Sequence, residues 1–159
     1  MLVRRLIALL AVPAMLVAGC GGSGDDGSTI STAAIKPGAT KEIGGPWVGK
    51  LTQSGLAPFR IAVVIQDDGT GLVAYTGIDC GGRWRLDSGE APDFIFTETI
   101  DRGEGGKCKG TGTVHLTNTA SGTLQYRFEG GGVTSRGLLH RTDSAGLKPV
   151  FDEAGVTSP

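Results

Sequence analysis

One carboxylate in this sequence stands where chemistry would need it. In the run DFIFTETI, Glu98 shares a face with Phe94, Phe96 and Ile100, so on a strand it points with the apolar set rather than against it. Such a group is either a strand-end residue reaching water or a buried carboxylate paired with an arginine, with Arg83, Arg85 and Arg127 as candidates. Burial beside a partner shifts proton affinity and favours a ligand contact, while a structural ion pair is the plainer outcome. Trp84 and Tyr126 join Glu98 as candidate binding residues, because each falls on the apolar side of its own alternating run, RWRLD and TLQYRFE.

The other chemistry-bearing residues point less sharply. His115 and His140 are the only histidines; two scattered imidazoles make no Ser-His-Asp arrangement, and they read as solvated surface residues. Asp67, Asp68, Asp101 and Glu104 fall in turns, where carboxylates mostly serve the turn itself. GGPWVGK, residues 44–50, matches part of a phosphate loop, but Leu51 replaces the magnesium-binding hydroxyl and a strand follows instead of a helix, so that reading fails. RGEGGKCKGTG carries Lys107 and Lys109 on flexible backbone that could cradle an anion, although a solvated hairpin loop is the commoner result. No catalytic residue, cofactor or metal set is expected.

These residues must be held by strands. FRIAVVIQ sets Phe59, Ile61, Val63 and Ile65 against Arg60, Ala62, Val64 and Gln66; TVHLT opposes Val114 and Leu116 to His115; TLQYRFE opposes Leu124, Tyr126 and Phe128 to Gln125 and Arg127. Strict alternation of aromatic and β-branched residues marks half-buried strands. Turn signals separate them: DDGTG, DSGEAPD, NTASG and EGGG. The reading is all-β, with eight strands near 46–53, 58–66, 71–78, 81–87, 93–100, 111–118, 122–129 and 133–141. Short connections predict an antiparallel up-and-down meander. Rolling into a small barrel covers its apolar face and removes the edges; a two-sheet sandwich is the alternative.

The flanks have a different character. Arg4 and Arg5 precede an apolar run, Leu6 to Ala18, too short to span a membrane well. This is the pattern of a secretory signal peptide. It ends in Val17-Ala18-Gly19-Cys20, which resembles a bacterial lipobox. The resemblance implies cleavage before Cys20, lipidation of its sulfur, and anchoring at the extracytoplasmic face of the cell membrane; an incidental cysteine after an ordinary signal peptide is the alternative. Residues 1–19 are thus the signal peptide, and 20–44, rich in Gly, Ser and Thr, a lipid-anchored tether. Its reach is roughly 25–30 Å. Residues 45–141 form the barrel domain. Residues 142–159 read as a poorly ordered tail, with Val150 and Phe151 able to dock back. Without residues 1–19 the chain has 13 basic and 16 acidic residues, a net charge of about −3. No basic cluster with interleaved aromatics appears, so nucleic acid is not an expected partner.

Lipidation of Cys20 would leave Cys80 and Cys108 as an even pair. A structural disulfide is favoured: a metal pair lacks further ligands, and redox pairs are more often Cys-x-x-Cys. Closing that loop would stabilise the fold by about 3.6 kcal/mol in the entropic limit.

GPWVG at 45–49 resembles the Gly-x-Trp signature on the first strand of lipocalin-like (calycin) barrels. The resemblance implies a basic residue on the last strand packing over that tryptophan, and Arg141 stands in that place. The stretch from Trp47 to Arg141 is also similar to extracytoplasmic β-domains of actinobacterial lipoproteins and receptor-like serine/threonine kinases, through Trp47-Val48-Gly49, Cys80 and Cys108, LQYRF, and a closing GLLHR with one inserted position.

Two functions compete. One is a membrane-anchored binding module that contacts an envelope protein or other envelope component. The other is a lipocalin-like carrier or sensor of a small apolar molecule. The interior separates them: an eight-stranded barrel is just wide enough to be filled by side chains or to hold one small ligand, and Trp47, Phe59, Trp84, Phe94, Phe96, Tyr126 and Phe128 all belong to the inward set.

Overall fold

The computed structural model describes residues 36, 38–103, 106–108 and 110–157; Cys20, Glu104 and Lys109 lie outside them. Eight antiparallel strands follow in chain order: β1 Gly45–Gln53, β2 Phe59–Ile65, β3 Thr70–Thr76, β4 Cys80–Glu90, β5 Asp93–Arg102, β6 Thr111–Asn118, β7 Leu124–Gly130 and β8 Val133–Arg141. Each pairs with the next, and β8 returns to β1, so the meander closes into a barrel rather than a sandwich. Turn chemistry fixes the register locally. Between β2 and β3, the Asp68 carboxylate accepts from the Thr70 amide at 2.8 Å and its hydroxyl at 2.7 Å, while Gly69 takes φ 82°.

The inward faces read from the sequence are buried, and on β2 and β3 the outward Ala62 and Ala74 are buried as well. Trp47, Phe59, Ile61, Val63, Trp84, Phe94, Phe96, Val114, Leu116, Tyr126 and Phe128 form one interior core, each at most 5% exposed. Closure depends on two small residues at the seam. A Cβ on Gly49 would overlap the carbonyl of Leu138, and one on Gly137 would overlap that of Lys50, so the β1–β8 approach needs both glycines.

One end of the barrel is sealed. Trp47 and Arg141 are register partners, with the Arg141 guanidinium carbon 4.4 Å from the indole centroid. Arg141 also donates to the carbonyls of Gly44 at 2.7 Å and Glu42 at 2.8 Å, and Trp47 Nε1 donates to Ile43 at 2.8 Å. Residues 38–44, read from composition as the end of a tether, are therefore folded turns against the barrel. Thr40 and Ile43 are wholly buried there, and the Thr40 hydroxyl bonds Gln66 O at 2.7 Å.

The C-terminal segment also differs from the poorly ordered tail expected of it. Residues Ser144–Glu153 form a helix, α1, capped by Asp143, whose side chain accepts from the Gly146 amide. Gly155, at φ 64°, stops it: Gly155 N bonds Asp152 O and Val156 N bonds Phe151 O, the paired bonds of a Schellman motif. Gly146 and Pro149 give this segment poor intrinsic helicity. Docking supplies the compensation. Leu147, Val150, Phe151 and Ala154 pack on a shelf of small outward residues, where Ala62 faces Ala74 across β2 and β3 and Ala74 faces Gly81 across β3 and β4. Val156 fills the space over Gly81 where a Cβ would stand.

Candidate functional site

Inside the barrel, four strands bring polar atoms to one point. β4 and β5 pair so that Trp84 and Glu98 are direct register partners with side chains inward. Tyr75 comes from β3 and Tyr126 from β7. Trp84 Nε1 donates to Glu98 Oε2 at 2.6 Å, and the Tyr75 hydroxyl donates to the same oxygen. The Tyr75 and Tyr126 hydroxyls lie 3.1 Å apart. Aromatic packing holds the donors in place: Trp84 stacks on Tyr126 at 6.0 Å between centroids, and Phe59 meets Tyr75 edge-on at 6.1 Å.

Glu98 is 3% exposed. Burial raises its pKa to about 7, and the bonds from Tyr75 and Trp84 only partly oppose that rise. Both phenols are pushed well above their ordinary range, first by burial and then by the neighbouring Glu98 charge. Near neutrality the carboxyl is thus the one group of the cluster able to exchange a proton with water.

The three residues singled out from the sequence, Trp84, Glu98 and Tyr126, are brought together. The arginine expected beside Glu98 is not there. Arg83 pairs with Asp101 at 2.8 Å, Arg85 with Asp87 at 3.0 Å, and Arg127 with Glu129. The reason is parity: these arginines alternate with the inward residues of β4 and β7 and so lie on the outer wall. Neutral aromatic donors satisfy the carboxylate instead. Tyr75 was missed as a member of the site. Its parity with Gly71 and Val73 in TGLVAYT was the available signal, since it places Tyr75 inward on β3.

A pocket of about 30 Å³ reaches this cluster from the end opposite Trp47, lined in part by Gln53, Phe59, Ile78, Phe128 and Ser135, with Lys107 at its rim. That is room for a water molecule or two. Cys80 and Cys108 lie at disulfide distance beside it, with Cα atoms 6.3 Å apart, and tie the β3–β4 turn to the β5–β6 connection. His115 is half-buried on the outer wall, 3.8 Å from Glu129, and His140 is exposed. Among the described residues no group of three or more His, Cys, Asp or Glu side chains converges as metal ligands would. No family model, curated protein or solved structure matches this chain.

Proposed function

We propose that this chain is an extracytoplasmic lipoprotein, anchored to the cell membrane through Cys20, whose barrel acts as a binding module at the envelope rather than as an enzyme. The observation that carries this reading is the filled interior. Sites for small molecules commonly offer roughly 300–1,000 Å³, whereas the pocket above Glu98 leaves about 30 Å³. A carrier of an apolar molecule would need that space. The sealed end, with Arg141 over Trp47, supports reading the architecture as lipocalin-like with its cavity closed by aromatic side chains. With the inner surface occupied by the protein itself, recognition falls to the outer wall and the loops.

Titration of the chain with a long-chain fatty acid, followed by tryptophan fluorescence, tests the reading. Trp47 and Trp84 are both interior, so a carried ligand would change their emission in a saturable way. The module reading expects no saturable change, and stoichiometric uptake would replace it with the carrier. Separately, Cys20→Ala is expected to release the protein from membranes or block its processing; a processed variant that stays with the membrane would remove the anchor.

A further inference from the structure

The outer wall is not uniform in charge. On β4 and β5 the arginines at 83 and 85 each have a carboxylate partner. On the opposite wall the pattern reverses. Lys50 of β1 faces Arg60 of β2, and Arg136 of β8 faces Arg127 of β7, which in turn faces His115 of β6. Like charges directly opposite across a strand pair, as in Lys50–Arg60 and Arg136–Arg127, destabilise a sheet. Glu129 answers only the Arg127 and His115 end of this band. Among the described residues no carboxylate lies within ion-pair distance of Lys50, Arg60 or Arg136.

The same wall is grooved. A surface groove of about 430 Å³ runs over β6 to β8 between Gln125, Arg127, Arg136 and Leu138, and a second of about 360 Å³ lies on the other side of Arg136, beside Thr52 and Thr134. Among the described residues Leu138, 48% exposed, is the large apolar side chain left open to solvent, and it sits next to Lys50 in the register. Lys50 and Arg136 thus flank an exposed leucine, with hydroxyl and amide side chains around them.

We propose that this face, from Arg60 across Lys50, Arg136 and Arg127 to His115, docks an extended acidic segment of a partner protein. The inference rests on the binding-module reading and names the chemistry of its partner. The chain is net acidic, so this run of facing cations is a local feature and not the result of an overall basic composition. The row crosses five strands, a span of about 19 Å at ~4.8 Å per strand, which an extended peptide of about six residues covers. A flat lipid surface would meet the convex wall along one narrow line and would leave both grooves empty. Because the barrel is closed, a partner strand cannot join the sheet at an edge. Recognition must therefore run through side chains, which is what the uncompensated cations provide.

The experiment is fluorescence anisotropy of a labelled octaglutamate peptide with the full chain in uncharged detergent. Binding is expected at low salt and is expected to fade as the Debye length shrinks below about 8 Å. Lys50→Gln combined with Arg136→Gln should weaken binding roughly tenfold, Arg60→Gln alone should weaken it less, and Arg83→Gln on the paired wall should leave it unchanged. The double variant should melt no lower than the parent, because it removes repulsion and no contact. Absence of peptide binding, or equal binding by the parent and the double variant, would overturn the proposal. Binding of phosphatidylglycerol vesicles without binding of the peptide would overturn it in favour of a lipid surface. Neither result touches the filled interior on which the binding-module reading stands.

Discussion

Trp84 and Glu98 face each other across β4 and β5, and the indole N–H bonds the carboxylate at 2.6 Å in the middle of an aromatic core. A titratable group so enclosed makes the fold sensitive to pH in a defined direction. Its pKa stands at about 7 in the folded chain against an ordinary 4.5. The folded state therefore holds the proton more tightly than the unfolded state does.

The resulting stability is fully present below pH ~4.5 and is lost as pH rises through ~7. The loss is on the order of 3 kcal/mol. Glu98→Gln keeps an acceptor for Trp84 and Tyr75 but cannot ionise. Urea midpoints at acid and mildly alkaline pH should show the variant close to the parent in acid and more stable than it at the alkaline end. A parent that gains stability over this window relative to Glu98→Gln would contradict the assignment.

Closure of the barrel should depend on Trp47 more than on Arg141. Trp47→Ala removes a fully buried side chain and should cost about 3–5 kcal/mol. Arg141→Gln loses the cation over the ring, worth roughly 0.5–2 kcal/mol, together with its bonds to Gly44 and Glu42. Thermal melts of the two variants check the order. Equal, negligible effects would mean that the sealed end contributes nothing to stability.

Helix α1 should behave as part of the domain. Phe151 is wholly buried on the Ala62–Ala74 shelf, so Phe151→Ala should destabilise the fold by about 3–5 kcal/mol. Hydrogen exchange should show the amides of β2 and β3 losing protection in that variant. Unchanged protection would mean that the helix is an appendage.

The strands were legible because a half-buried strand writes its two faces into the sequence with a period of two, and FRIAVVIQ, TVHLT and TLQYRFE keep that period. Eight strands with short connections favoured first-to-last pairing over a two-sheet sandwich, and the barrel is closed in that way. The helix was not legible, because Gly146 and Pro149 mask a segment whose helicity comes from the barrel wall, and propensity reports only the isolated chain. The same holds for residues 38–44, where Thr40 and Ile43 are fixed by Gln66 and Trp47 from other parts of the chain. At the site, parity placed Glu98, Trp84 and Tyr126 on the inside but could not say which donor meets which acceptor. Charge logic suggested an arginine; the strand faces supplied an indole and a phenol.

The most direct test of a closed, filled barrel serving as an envelope binding module is native mass spectrometry of the full chain recovered from its own membranes in mild detergent. The account predicts the chain either alone or with a protein partner that high salt removes, and no non-covalent apolar molecule in the barrel. A stoichiometric apolar ligand, lost on unfolding and bound by the barrel rather than attached at Cys20, would contradict it.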